Sequence, residues 1–160
     1  MRYQLRPITK ENWQKAANLT VAPHQVGLIE DNKDSLLEAL YVTELKWTPI
    51  GLYVDNQIVG FAMIGAENRK DASIWFDRFM IDQAHQGQGY GHALFKTVLN
   101  YLLQHYPVKE IYLSVHEANE KAFPFYESFG FVDLNRFDPN NGEKMMCYTV
   151  PDESDEEKGL

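Results

Sequence analysis

Residues 85–94 read HQGQGYGHAL, with glycines at 87, 89 and 91 followed at once by a helix-forming run. A strand-like segment, SIWFDRFMI over Ser73 to Ile81, precedes it, and an apolar helical stripe of Leu94, Val98, Leu99 and Leu102 follows. The glycines therefore stand between a strand and a helix, where uncapped N–H groups and the positive end of the helix dipole attract anions. Without Cβ atoms, Gly87, Gly89 and Gly91 would let a pyrophosphate approach the backbone closely. The spacing is neither the G-x-G-x-x-G of a dinucleotide fold nor the Gly-Lys-Ser/Thr of a P-loop, because Gly91 is followed by His92 and Ala93. A glycine-rich turn taken alone is equally a structural device, so the reading needs a second motif.

Working outward, GLYVDNQIVGFAMIG from Gly51 to Gly65 places two β-rich runs around Asp55-Asn56, which predicts an antiparallel hairpin. Tyr3 to Ile8 alternates like a first or edge strand. Glu11 to Leu19 and Lys33 to Leu45 carry helical spacing, with Thr9 and Asp34 as N-cap residues, and Glu67 to Ala72 is a polar link. After the glycine loop, a helix is expected from Gly89 to His105 and ended by Pro107. The strand EIYLSV, a short helix over Asn119 to Phe129 and two strands around the turn NNGEK complete the pattern. Residues 1–150 read as one domain, and residues 151–160, PDESDEEKGL, as an acidic, disordered, solubilising tail.

Composition limits what such a domain can do. The 160 residues are 44% hydrophobic and 13% aromatic, enough for one core and too few for two. A formal charge of -8 and a pI near 5.1 argue against non-specific nucleic-acid binding and favour small cationic partners. No apolar run approaches the roughly 20 residues needed to span a bilayer, so no membrane partner is expected. MRYQLRPITK lacks the apolar core of a secretory signal, and Cys147 has no second cysteine to pair with; both point to a cytoplasmic protein. The five histidines are scattered and the single cysteine adds no metal-ligand spacing, so no metal is expected. The oligomeric state stays open, a homodimer included.

NEKAFPFYESFGF, Asn119 to Phe131, supplies the second motif. Together with QGQGYG it resembles the GNAT family of N-acetyltransferases, in which a Q/R-x-x-G-x-G/A loop binds the pyrophosphate of acetyl-CoA and N-x-x-A-x-x-x-Y-x-x-x-G-F follows the next strand. Gln86, Gly89 and Gly91 fill the first pattern, and Asn119, Ala122, Tyr126, Gly130 and Phe131 fill the second. The resemblance runs from Tyr3 to Val150. It implies a single α/β (α+β) domain whose mixed, mostly antiparallel sheet of about seven strands is flanked by about four helices. It also implies acetyl-CoA as cosubstrate, held by Gln86, Gly87, Gln88, Gly89, Tyr90 and Gly91, by the backbone of Phe79, Met80 and Ile81, and by Asn119, Lys121 and Tyr126. Pro124 departs from an ordinary helix by removing a backbone donor near its start.

The chemistry narrows the catalytic residues. An amine attacking a thioester must first lose its proton, and an alkylammonium has a pKa of roughly 10, so a carboxylate or a water held by one is useful. Strand alternation places Asp77 on one face with Trp75, Phe79 and Ile81, an apolar setting that would raise its pKa, and turns Arg78 the other way. Asp77 is equally readable as a hydrogen-bonded structural acid or as a charge partner for the substrate ammonium. The resemblance gives the Tyr126 phenol the task of protonating or stabilising the departing thiolate, and the N–H groups of Phe79 to Ile81 that of holding pantetheine and thioester. Asn119 could touch CoA, cap its helix, or do both.

Within the family, HQVGLIED, GLYVDNQIVGFAM and WFDRFMID are most similar to the diamine and polyamine N-acetyltransferases that act on spermidine and spermine. That similarity implies a small cationic amine as acceptor, with Glu30, Asp31 and Asp77 contacting its charges and Trp47 or Trp75 flanking its methylenes. Glu30 and Asp31 are as readily solvated acids before a helix. The alternatives are acetylation of an aminoglycoside, a protein N-terminus or a lysine, and a CoA-binding sensor without catalysis.

Overall fold

In the computed structural model, which describes residues 1–152, the chain runs β1 (Tyr3–Pro7), α1 (Trp13–Asn18), α2 (Asn32–Tyr41), β2 (Thr48–Val54), β3 (Gln57–Asn68), β4 (Ser73–Ile81), α3 (Tyr90–His105), β5 (Glu110–Val115), α4 (Ala122–Glu127), β6 (Val132–Phe137) and β7 (Lys144–Thr149). The strands form one sheet in the order β1-β2-β3-β4-β5-β7-β6. Every neighbouring pair is antiparallel except β4 with β5. This is the mixed, mostly antiparallel α/β fold with four α-helices that the motifs imply. The expected acidic tail lies, from position 153 onward, outside the described residues.

The two faces of the sheet carry separate apolar layers. Leu94, Phe95, Val98 and Leu102 of α3 pack on Ile74, Phe76, Ile111, Leu113 and Val115. On the other face, Ala16 of α1 and Leu36 and Ala39 of α2 lie over Tyr53, Ile58, Phe61, Met63 and Met80. The β2–β3 hairpin turns at Asp55 and Asn56 with φ of 48° and 70°, the left-handed pair that a two-residue hairpin requires.

The helix starts differ from the sequence expectation in instructive ways. Asn12, not Thr9, occupies the N-cap position of α1, and its Oδ1 accepts the Thr9 N–H at 2.7 Å. Asp31, not Asp34, caps α2: its extended backbone (φ -59°, ψ 140°) aims Oδ1 at the Lys33 N–H, 2.7 Å away, whereas Asp34 is already in the first helical turn. The helix expected to reach Leu45 stops at Tyr41, and Thr43–Leu45 forms a 3₁₀ turn ended by left-handed Lys46. α4 is shorter than Asn119 to Phe129, and Pro124 falls in its first turn, where the missing N–H has no helical partner to lose.

Two irregularities in β4 position the site. First, Met63 pairs with Arg78 and Ile64 with Phe76, so Asp77 is the extra residue of a β-bulge. The bulge resets alternation: Phe76 and Phe79 both contact Phe95 of α3, whereas Trp75 packs at a tilt against Tyr112 of the opposite face, ring centroids 5.5 Å apart. The expected common face of Trp75, Asp77, Phe79 and Ile81 is therefore not formed. Second, β4 and β5 pair only at Ser73↔Glu110, Ile74↔Ile111 and Trp75↔Tyr112. Beyond those pairs β4 stays bound to β3 and β5 to β7, and a wedge opens between them.

At the wide end of the wedge, Gly60 of β3 faces Ile81, and a Cβ placed there would lie 2.5 Å from the Met80 carbonyl oxygen. Backbone cannot swing aside as a side-chain tip can. Gly60→Ala should destabilise the fold by about 2 kcal/mol through overpacking, lowering Tm by roughly 4–8 °C. An unchanged Tm in thermal unfolding would show that the strands absorb the methyl group.

Candidate active site

Three adjoining cavities meet at the wedge. One, of about 270 Å³, is walled by Phe79, Met80 and Ile81 of β4, Gln86, Gly87 and Gly91 of the glycine loop, and Asn119, Lys121 and Tyr126 near α4. A second, of about 400 Å³, is walled by Leu28, Ile29, Glu30 and Asp31 ahead of α2, by Met80, and by Glu143 from the β6–β7 turn. Between them a narrow space of about 40 Å³ brings together Asp77, Arg78, Phe79, Ser114, His116, Asn119, Tyr126 and Glu143. Ile29 lines all three. A larger hollow of about 1040 Å³ lies over α1 and the β2–β3 hairpin, lined by Arg6, Asn12, Lys15 and Tyr53 among others. It contains none of the expected site residues, so the chemistry is assigned to the wedge.

Asp77 is turned into the narrow space by the bulge and is 16% exposed. Burial pushes its carboxyl up to about 6; Arg78 pulls it down, while Glu30, Glu38 and Glu143 push it further up. Arg78 does not turn away from the site as alternation predicts. Its buried guanidinium, 9% exposed, contacts Glu30 and lies 2.8 Å from Glu38, with Nη1 3.5 Å from Asp77 Oδ2. Glu30 therefore already has a cation, and Asp31 is engaged as the α2 cap, although both line the acid-walled cavity.

Tyr126 packs its ring on Phe95, Phe125 and Phe131. Burial, helped by Glu143, pushes its phenol up to about 12, so it stays protonated across neutral pH. It lines both the glycine-loop cavity and the narrow space with Asp77. Asn119 lines the same two spaces. It does not cap α4 by its side chain: the chain turns first, with Asn119 N–H bonded to the His116 carbonyl at 2.9 Å, and the helix starts only at Ala122.

The glycine loop is braced from both sides. Gln86 Nε2 donates to the Ile81 carbonyl and to Gln25 Oε1, each at 2.9 Å, so this side chain fastens the loop to β4. Gly87 and Gly89 hold φ of +79° and +82°, with open space where each Cβ would stand. Gly89 precedes the first residue of α3 without a side-chain cap, leaving the helix N–H groups free. Gln88, Gly89 and Tyr90 do not line the cavity, and the Tyr90 ring packs edge-on to Tyr3, centroids 6.3 Å apart. The Met80 side chain belongs to the α1–α2 layer, with Sδ 3.7 Å from Asn32 Nδ2.

Trp47 lines none of the three spaces. It packs where Gly65 has no Cβ, a space in which that atom would sit 2.5 Å from the indole, and its Nε1 is buried without a hydrogen-bond partner. Trp75, packed against Tyr112, lines none of the three spaces either. The residue that sequence reasoning missed is Glu143, whose Oε2 accepts from Ser114 Oγ at 2.8 Å and which lines two of the spaces. Its only sequence signal is its place in the NNGEK turn. Among the described residues no group of three or more His, Cys, Asp or Glu converges as for a metal, and no helix is long and apolar enough to cross a membrane.

The sequence pattern of the Acetyltransferase (GNAT) family matches residues 12–131, three-quarters of the chain and the whole of the wedge apart from the β6–β7 turn. The chain belongs to the GNAT acetyltransferase family. Among relatives, the spermine/spermidine N(1)-acetyltransferase of Bacillus subtilis (strain 168) is 36% identical over 151 residues, which covers 91% of this chain and 97% of that protein. The GNAT fold is also that of the spermidine N-acetyltransferase from Vibrio cholerae, solved in complex with CoA and spermine: TM-score 0.73, 21% identity, 92% of this chain and 95% of that one. An aminoglycoside acetyltransferase, AAC(6')-Ib with coenzyme A, superposes equally well, with TM-score 0.73, 19% identity and coverage of 92% and 95%. The fold alone therefore does not select an acceptor.

Asp77 gives the site a measurable signature in stability. A carboxyl near 6 in the folded state and 3.8 in the unfolded chain means that the folded state binds more protons between those values. Its contribution to stability is therefore lost as pH rises from about 4 to above 6, by up to about 3 kcal/mol. Asp77→Asn removes the titration, so its Tm should match wild type near pH 4 and exceed it at pH 7. A Tm difference that is constant across this range would contradict the raised carboxyl.

Proposed function

We propose that the protein transfers the acetyl group of acetyl-CoA to a primary amine of a polyamine or diamine such as spermidine or spermine. The observation that carries this reading is the narrow space at the wedge, where a buried carboxylate and a protonated phenol meet between a glycine-loop cavity and an acid-walled one. The activity of the Bacillus subtilis relative supports the polyamine part of the reading.

The glycine-loop side suits acetyl-CoA. Past Trp75, β4 lacks a β5 partner, so main-chain groups around Phe79, Met80 and Ile81 are available to a ligand in the wedge. Gly87 and Gly91 bring bare backbone to the cavity wall, and Lys121 adds a positive charge in an acidic protein. Asn119 completes this wall. When bound, acetyl-CoA supplies the activated acetyl thioester.

The protein's own groups handle the protons. Asp77, ionised above about pH 6, takes the proton of the acceptor ammonium, directly or through a water. Raising this carboxyl from 3.8 to about 6 narrows its mismatch with an alkylammonium by about 3 kcal/mol. Tyr126 remains protonated and gives its proton to the departing sulfur. Glu143, which pairs with no basic side chain among the described residues, and Asp31 are the acids for a distal ammonium, since Arg78 engages Glu30.

Tyr126→Phe keeps the ring and its packing but removes the donor. Turnover should fall roughly 100-fold while CoA affinity measured by calorimetry stays close to wild type. Wild-type turnover would assign Tyr126 to packing alone.

The acceptor is tested by kcat/KM at one salt concentration for spermidine, spermine, a monoamine of similar length, an aminoglycoside and a lysine-containing peptide. Polyamines should lead by about tenfold, the worth of one well-placed charge contact of roughly 1.4 kcal/mol. A lead for the aminoglycoside or the peptide would overturn the polyamine reading. CoA binding without thiol release for any amine would make the protein a sensor.

A further inference from the structure

Arg78 is the one basic side chain that the described structure buries among acids at the wedge. Its guanidinium reaches Glu30 in the segment before α2, Glu38 within α2, and Asp77 in the β4 bulge. No helix or strand ladder otherwise ties the Leu28–Asp31 segment to β4. Nη1 is buried without a hydrogen-bond partner, inside ion-pair distance of Asp77 Oδ2 at 3.5 Å but outside hydrogen-bond geometry. A buried arginine is costly unless its partners are fixed around it, and the loss of one partner is strongly destabilising.

We propose that Arg78 is a positioning residue for acetyl transfer: one guanidinium clamps the acidic wall of the acceptor cavity to β4 and sets the electrostatic field at Asp77. This proposal rests on the reading of Asp77 as the base. The fork geometry of arginine suits it, because separate N–H groups can serve separate carboxylates at once. It also accounts for how an acid-rich site offsets its own repulsion: Asp77, Glu30, Glu38 and Glu143 all face this region, and Arg78 is the cation among them. His116 and Tyr126 complete the titratable groups lining the narrow space.

The opposing charges make the consequence directional. Arg78 holds the Asp77 carboxyl down against burial, whereas Glu38 pushes it up. Removing the cation should raise the pH at which Asp77 ionises, and neutralising Glu38 should lower it. General loosening of the wedge would hydrate Asp77 and move both variants the same way.

The test is a carbon-13 NMR titration of the Asp77 carboxyl in the protein without acetyl-CoA, with Asp77→Asn identifying the signal. Arg78→Met should raise the midpoint by about one pH unit, a tenfold change in proton affinity, and Arg78→Lys should restore most of it. Glu38→Gln should shift it downward. In parallel, the acid limb of kcat/KM should follow the midpoints, with CoA affinity unchanged. A midpoint unmoved in folded Arg78→Met, or moved upward in Glu38→Gln, overturns the proposal. Should Arg78→Met fail to fold, the sign of the Glu38→Gln shift decides. If the midpoints move as stated while the acid limb ignores them, Asp77 is not the base and the clamp's link to catalysis fails with that reading, leaving the electrostatic part intact.

Discussion

β4 and β5 share three residue pairs and then part. Each strand remains held on its outer side, β4 by β3 and β5 by β7, so the sheet does not fray at this point; it divides. An open backbone edge inside a sheet must find hydrogen-bond partners, and here it faces a cavity able to receive a ligand. The residues of the candidate site are placed relative to that division. α3 starts beside it with uncapped N–H groups, α4 carries Tyr126 to its mouth, and the β6–β7 turn brings Glu143 across from β7.

The bulge at Asp77 is the second half of the same device. A regular strand would send residue 77 to the side opposite Phe76, among the Trp75 and Tyr112 rings. The inserted residue instead places Asp77 at the point of parting and leaves Arg78 over α2. The carboxyl is thus buried enough to keep its proton up to about pH 6, with one cation limiting how far that goes. Tyr126 is half-buried among phenylalanines and kept protonated. Environment thus sets two weak acids side by side in different states, one ionised above about pH 6 and one protonated across neutral pH.

The parts of this arrangement that were legible in the sequence are those fixed by local chemistry. SIWFDRFMI and EIYLSV are β-rich runs bounded by polar or turn residues, and β4 and β5 have those same limits. Asp55-Asn56 specified the hairpin because few residues accept two successive left-handed conformations. The bulge was not legible, since an extra residue is defined by pairing with β3, about which the alternation of β4 alone carries no information. The same holds for Arg78, whose partners lie 48 and 40 positions away in chain order at Glu30 and Glu38, and for Glu143, 29 positions from Ser114. In DNKDS two aspartates compete for one cap, and the choice of Asp31 depends on where the preceding loop turns.

The fold by itself does not decide which amine a member of this family acetylates. A spermidine enzyme and an aminoglycoside enzyme superpose on this chain to the same degree, so the fold is shared while the acceptors those two are named for differ. The acid-walled cavity is built from the segment before α2 and from the β6–β7 turn, neither of which contributes ladder pairs to the middle of the sheet. Such segments can change without disturbing the pairing that creates the wedge. Their acids are not equivalent: Glu30 is neutralised by Arg78, Asp31 is committed to a helix start, and Glu143 is held, among the described residues, by neutral donors. Among the described residues Glu143 is therefore the one of these three acids that neither pairs with a cation nor caps a helix, and it stands at the β6–β7 turn across the narrow space from Asp77 in the β4 bulge.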